Sequence, residues 1–140
     1  MTQLARFTIR PRRSRLYYTV RVFTSKRAMQ RYAHRHRSRG LGARFSGLAS
    51  TWVKQRRVRG VWRATAHAGE MLLVRGHCGA EVVSHECTHL ALAWARRVRV
   101  RITESTSGVH VSASEERFCY VLGQLVNRTY RELWRRRLIT

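Results

Sequence analysis

A chain of 140 residues is long enough to bury one core and short for two, so a single domain over residues 1–140 is expected. Its 29 Lys and Arg against 7 Asp and Glu leave a net charge of +22, which excludes a surface indifferent to polyanions. No apolar run approaches a membrane span, Met1-Thr2-Gln3-Leu4-Ala5-Arg6 lacks the apolar stretch of a signal peptide, and nine glycines with one proline argue against a long disordered segment.

In chain order, Leu4–Ile9 and Leu16–Phe23 alternate or run apolar as strands do, with Pro11 and several arginines between them. Ser25 caps a short basic helix from Lys26 to about Arg37, with Met29, Tyr32 and Ala33 on one face. His34 and His36 stand at i and i+2, cannot share a helical face, and are not expected to bind metal. Phe45–Val53 and Val58–Ala66 are further strand candidates, whose Trp52 and Trp62 suit core or sheet packing better than base stacking. Glu70–Arg75, bounded by Gly69 and Gly76, reads as a strand of the core or of a sheet edge.

A mostly apolar helical run then begins near Ala80, after Gly76 and Gly79, and closes on Arg96-Arg97. Arg101–Gly108, which contains Glu104, looks like a strand running into a turn. The last helix is predicted from Ser114 to about Arg137, with Ser112 or Ser114 as N-cap. Its apolar stripe is Phe118, Cys119, Leu122, Leu125, Val126 and Leu133, and Cys119, Tyr120 and Gly123 form a narrow face suited to close helix packing. The order of elements implies an α+β domain, with a small sheet covering the first long helix and the last helix closing over its site.

The first long helix carries the most specific pattern, His85-Glu86-Cys87-Thr88-His89. At i and i+4 two imidazoles lie on one face, about 6 Å apart, where both can meet one Zn²⁺. Glu86 is placed to serve as general base toward a zinc-activated water without ligating the metal itself. With this composition an H-E-x-x-H arises in about one or two of a hundred shuffled chains. The apolar flanks, the glycines before and the arginines after make a buried catalytic helix the better account, because such ligands need a dry, fixed setting.

A catalytic zinc takes three protein ligands and keeps one open position. No third histidine follows at short spacing, and the next acids are Glu104, Glu115 and Glu116. Glu115 and Glu116 both suit the positive end of a helix. Extending the apolar stripe backward reaches Glu115, whereas Glu116 leads the narrow face, so either is a candidate third ligand. His85, Glu86, His89 and the Glu115-Glu116 pair resemble the zincin metallopeptidases, and within them the gluzincins. The chain looks most like the small, single-domain, often phage-encoded versions, whose second helix begins Glu-Glu and then shows a small residue, an aromatic and a glycine, as Cys119, Tyr120 and Gly123 do. The likeness covers about residues 70–130. It implies a zinc metallopeptidase with Zn²⁺ on His85, His89 and one of the two glutamates, and Glu86 as general base. It also suggests that the strand before the active helix lies at a sheet edge and pairs with substrate backbone. Larger gluzincins often carry an aspartate four residues after the glutamate ligand; this chain has no aspartate, and Cys119 or Tyr120 stands there. Tyr120, Tyr130, His110 and His77 are eligible as oxyanion donors by chemistry, and nothing in the sequence chooses among them.

Cys78, Cys87 and Cys119 match no disulfide framework or cysteine-based zinc site, and Cys87 and Cys119 read as small buried thiols in a reducing cytoplasm, the host's if phage-encoded. Of the 29 basic residues only Lys26 and Lys54 are lysine. The arginines cluster along the whole chain, which implies a nucleic acid or an acidic protein partner. The competing function is therefore a basic nucleic-acid-binding or virion-associated protein that keeps a zincin fold without turnover. A two-metal nuclease is disfavoured, since seven scattered glutamates make a carboxylate cluster difficult to assemble.

Overall fold

The computed structural model describes residues 2–36, 45–102 and 112–140. β1 (Gln3–Ile9) and β2 (Tyr17–Phe23) pair antiparallel, Phe7 opposite Val20 and Ile9 opposite Tyr18. α1 (Lys26–His36) follows, its first turn capped by Ser25 Oγ, which accepts from the Ala28 N–H at 3.2 Å. β3 (Gly47–Thr51), a short ribbon of β4 (Gln55–Val58) and β5 (Val61–Ala64), and β6 (His67–Val74) complete the strands. The chain ends with α2 (Ala80–Arg97) and α3 (Ala113–Arg135). The main sheet has the order β1-β2-β6-β3, with β2 and β6 parallel and the outer pairs antiparallel; β4 and β5 form their own two-stranded sheet. No helix among the described residues is long and apolar enough to cross a membrane.

A parallel β2–β6 pair needs a crossover, and α1 lies on it, covering one face of the sheet. There Met29, Tyr32 and Ala33 pack against Phe23, Leu72 and Val74. The alternate residues Val20, Val22, Met71 and Leu73 point to the other face, where α2 and α3 close the larger core over Leu90, Leu125 and Leu133. β6 is thus buried on both sides, which explains the apolar run of Met71–Val74. Burial on the α1 side includes one carboxylate: Glu70, 1% exposed, accepts from Arg21 Nε at 3.0 Å and from the Tyr32 hydroxyl at 3.3 Å. Across the sheet the Tyr18 hydroxyl donates to the Leu90 carbonyl at 3.0 Å, pinning β2 to the middle of α2, and burial drives its pKa upward.

Four expectations are corrected. β6 begins at His67, runs through Gly69 and lies inside the sheet, as a core strand and not an edge; the edge strand beside it is β3, and β1 forms the other edge. Val58–Ala66 is not one strand: Arg59 and Gly60, both at positive φ, turn it back as a hairpin, and Trp62 projects into solvent at 63% exposure. On α3 the expected stripe packs inward at Phe118, Leu122, Leu125, Val126 and Leu133, joined by buried Val121 and Thr129, while Cys119, Tyr120 and Gly123 are exposed rather than a helix-packing face. Nor does α3 close over the histidines. It lies over β1, on the opposite flank of α2, where Cys87 Sγ meets Thr129 Oγ1 at 3.8 Å and the Arg117 guanidinium covers Trp94. The predicted strand and turn at 101–108 fall largely outside the described residues, as do Glu104 and His110.

Candidate metal centre

α2 is aligned by its surroundings rather than by a capping side chain: its N-cap, Gly79, supplies none. Val83, Cys87, Leu90 and Trp94 fill the interior face. At 100° per residue, His85 and His89 then fall on the flank that looks along the sheet toward β3. Their Nε2 atoms face each other at 3.2 Å, with the ring planes at 79°. The separation is that of a hydrogen bond between the two rings, and it also equals the distance of about 3.3 Å between two imidazole nitrogens that share a tetrahedral zinc, each about 2.0–2.1 Å from it. Two imidazoles side by side are a donor pair that suits zinc.

Glu86 projects next to them into the angle between α2 and β3, and only 6% of it is exposed. Burial raises its carboxyl pKa above the usual range, while His85, the Ala49 backbone N–H and His89 pull the other way. Ala49 belongs to β3, so the backbone polarity of that strand acts on the general-base candidate. The approach is close because residue 47 is glycine: a Cβ there would sit 2.8 Å from Val82 Cγ1 and 2.9 Å from Glu86 Cγ. Gly47→Ala is therefore expected to displace the Glu86 side chain and cost about 1–2 kcal/mol in a denaturant melt, with zinc content unchanged.

A cavity of about 200 Å³ opens over these groups, lined by Phe45, Gly47–Ala49 and Thr51 on one side and by His85, Glu86, His89, Leu92, Ala93 and Arg96 on the other. Arg96 was expected only as a last-turn cation. Its spacing carried the information, since positions 85, 89, 92 and 96 follow i, i+4, i+7, i+11 and form one stripe. The structure does not bring the predicted third ligand to this stripe. Glu115 is half-buried and Glu116 exposed, both in the first turn of α3, where Ser112 Oγ accepts from the Glu115 N–H at 3.2 Å. Among the described residues no three His, Cys or Glu side chains are grouped to hold a metal. None of Tyr120, Tyr130 and His77 lines the cavity. Cys87, inside the motif, points into the core, and burial pushes its thiol up to about 12, the pKa of an inert packing residue. Cys78 is likewise pushed up, to about 11, whereas Cys119 is exposed, against expectation. Comparison of the chain with protein-family models, with curated proteins and with solved structures finds no match, so the reading of this centre stands on its own residues.

Proposed function

We propose that the protein is a zinc-dependent metallopeptidase, with His85 and His89 as metal ligands and Glu86 as general base. The observation that carries this is the 3.2 Å approach of the two Nε2 atoms beside a buried carboxylate. A zinc ion held there would supply Lewis acidity, making water a nucleophile near neutral pH and polarising the scissile carbonyl. Glu86 takes the proton of the attacking water and returns it to the leaving amine. Its buried carboxylate lies beside both imidazoles. Arg96, exposed at the rim of the cavity, offers a cation to negative charge that develops at the carbonyl. Substrate in extended form adds to the outer edge of β3, whose backbone groups face the same cleft. The resemblance to gluzincins points to Glu115 or Glu116 as third ligand, whereas the described structure groups neither with the two histidines, so a zinc bound there requires α3 to approach or a different third donor. The substrate is proposed to be an acidic protein or one held near nucleic acid, given the charge of +22.

Metal analysis of the purified full chain tests this. We expect about one zinc per chain, a loss of affinity of at least about 100-fold in His85→Ala and His89→Ala, and a comparable loss in only one of Glu115→Ala and Glu116→Ala. A wild-type protein without stoichiometric zinc would end the enzymatic reading. If both glutamate variants kept their zinc, the gluzincin assignment alone would fall.

A further inference from the structure

We propose that the end of the molecule formed by the β4–β5 ribbon and the last turn of α2 is a binding surface for nucleic acid, held through its phosphodiester backbone. This surface is separate from the histidine cleft, and the proposal does not depend on zinc.

The ribbon has no place in either core. Every residue of β4 and β5 is exposed except Val58, which is half-buried. Its register sets Arg56 directly opposite Arg63, and Arg57 opposite Trp62. Like charges facing each other across an antiparallel pair weaken it, unless an anion lies against both. Beneath the ribbon is a cavity of about 770 Å³. Lys54, Arg56, Arg59 and Arg63 line it, and no glutamate does. Tyr17 and His67 form its far wall with their rings stacked, 5.0 Å apart and 10° from parallel. The other face of the ribbon presents Arg57 and the exposed indole of Trp62.

A second basic cavity, of about 620 Å³, lies beside the first. Arg12, Arg13, Arg15, Arg97 and Arg117 line it together with exposed Tyr120, again without a carboxylate. Arg97 joins the two: its Nη2 donates at 3.0 Å to the carbonyl of Thr65, which lines the first cavity. Two basic cavities bridged by Arg97 thus offer more cations than a single phosphate needs. The four non-glycine residues at positive φ among the described residues are all arginine. Two of them, Arg13 and Arg59, line these cavities at turn positions where glycine or asparagine is less strained. A partner must also account for the aromatic rings. An acidic peptide would be met by cations alone; guanidinium forks for phosphates, together with the exposed rings of Tyr120 in the second cavity and Trp62 on the ribbon's other face as stacking surfaces for bases, fit a nucleic acid that wraps this end of the molecule.

The test is fluorescence anisotropy with a labelled oligonucleotide of roughly 20 residues, long enough to span both cavities, as single strand and as duplex. Wild type is compared with R56A/R63A and with R31A/R35A, which removes the same charge from the exposed face of α1 on the opposite side of the sheet. At about 0.15 M salt we expect R56A/R63A to weaken binding about tenfold or more, and to reduce the slope of log affinity against log salt by about 1.4 on the single strand. R31A/R35A should change affinity by less than about threefold. W62A, which leaves the charge intact, should weaken the single strand more than the duplex. The proposal is overturned if both arginine pairs weaken binding equally, since the overall field would then suffice. It is also overturned if wild type binds neither form at that salt, or if polyglutamate displaces the oligonucleotide at matched charge concentration, which would point to an acidic protein instead.

Discussion

Glu86→Gln is expected to abolish peptide hydrolysis, by about 10²- to 10⁴-fold, while the protein keeps its zinc and its fold. The amide is nearly isosteric with the carboxylate and can still accept from the Ala49 N–H, so β3 and α2 stay in register. What it cannot do is take a proton from water. The same change should leave the metal-free protein equally or more stable. A carboxylate with only 6% of its surface exposed is desolvated, and its raised pKa records that cost. The sign follows from linkage. With the folded pKa above the unfolded one, the native state binds more protons, so wild type loses stability as pH rises through the window between the two values. Glu86→Gln removes that slope. Chemical denaturation of both metal-free proteins at pH 4 and pH 8 measures it, and a wild type that gained stability relative to the variant with rising pH would contradict the placement of this side chain.

Gly69→Ala is expected to be the most disruptive single methyl in the described structure. Its Cβ would collide with the Ser50 carbonyl oxygen and approach Thr51 Cα to 3.0 Å, both of them backbone that cannot rotate away. The β3–β6 pairing from Gly47–Leu73 to Thr51–Gly69 must therefore shift at one end. The cost should be about 3 kcal/mol, visible as a lowered denaturation midpoint. The cleft should be disturbed with it, because its outer wall at Gly47–Ala49 and Thr51 belongs to β3. By contrast, adding a methyl at Gly123 meets nothing within 4 Å, and Gly123→Ala should be neutral or slightly stabilising on α3. Thermal melts of the two variants side by side separate a packing glycine from an incidental one.

Local pattern carried much of this protein. The strands β1 and β2, the Ser25 and Ser112 caps, the buried face of α1 and the span of α2 all follow from periodicity and end signals within a few residues of each other. So does the pairing of His85 with His89, because a helix alone brings i and i+4 together. The ribbon was legible in principle: Arg59-Gly60 between two valines is a turn signal, and reading through it merged β5 with its neighbours.

What depends on long-range packing could not be read this way. Whether β6 is edge or centre is decided by strands distant in sequence, such as β3, whose pairs run from Gly47–Leu73 to Thr51–Gly69, and an apolar run suits either position. The face that α3 turns to α2 was misjudged for a similar reason. Cys119, Tyr120 and Gly123 look like a packing seam by size, yet Val121, Leu125, Thr129 and Leu133 bury more and set the rotation of the helix. That rotation, with the seating of α3 over β1 rather than β3, places Glu115 and Glu116 away from the histidines. By itself the sequence determined the charge, the helical segments and the histidine stripe of α2, all of which are properties of neighbours along the chain. Only the tertiary structure decided that β3 walls the cleft and that arginines distant in sequence line common cavities, because both are set by contacts whose cost and gain appear only when distant segments meet.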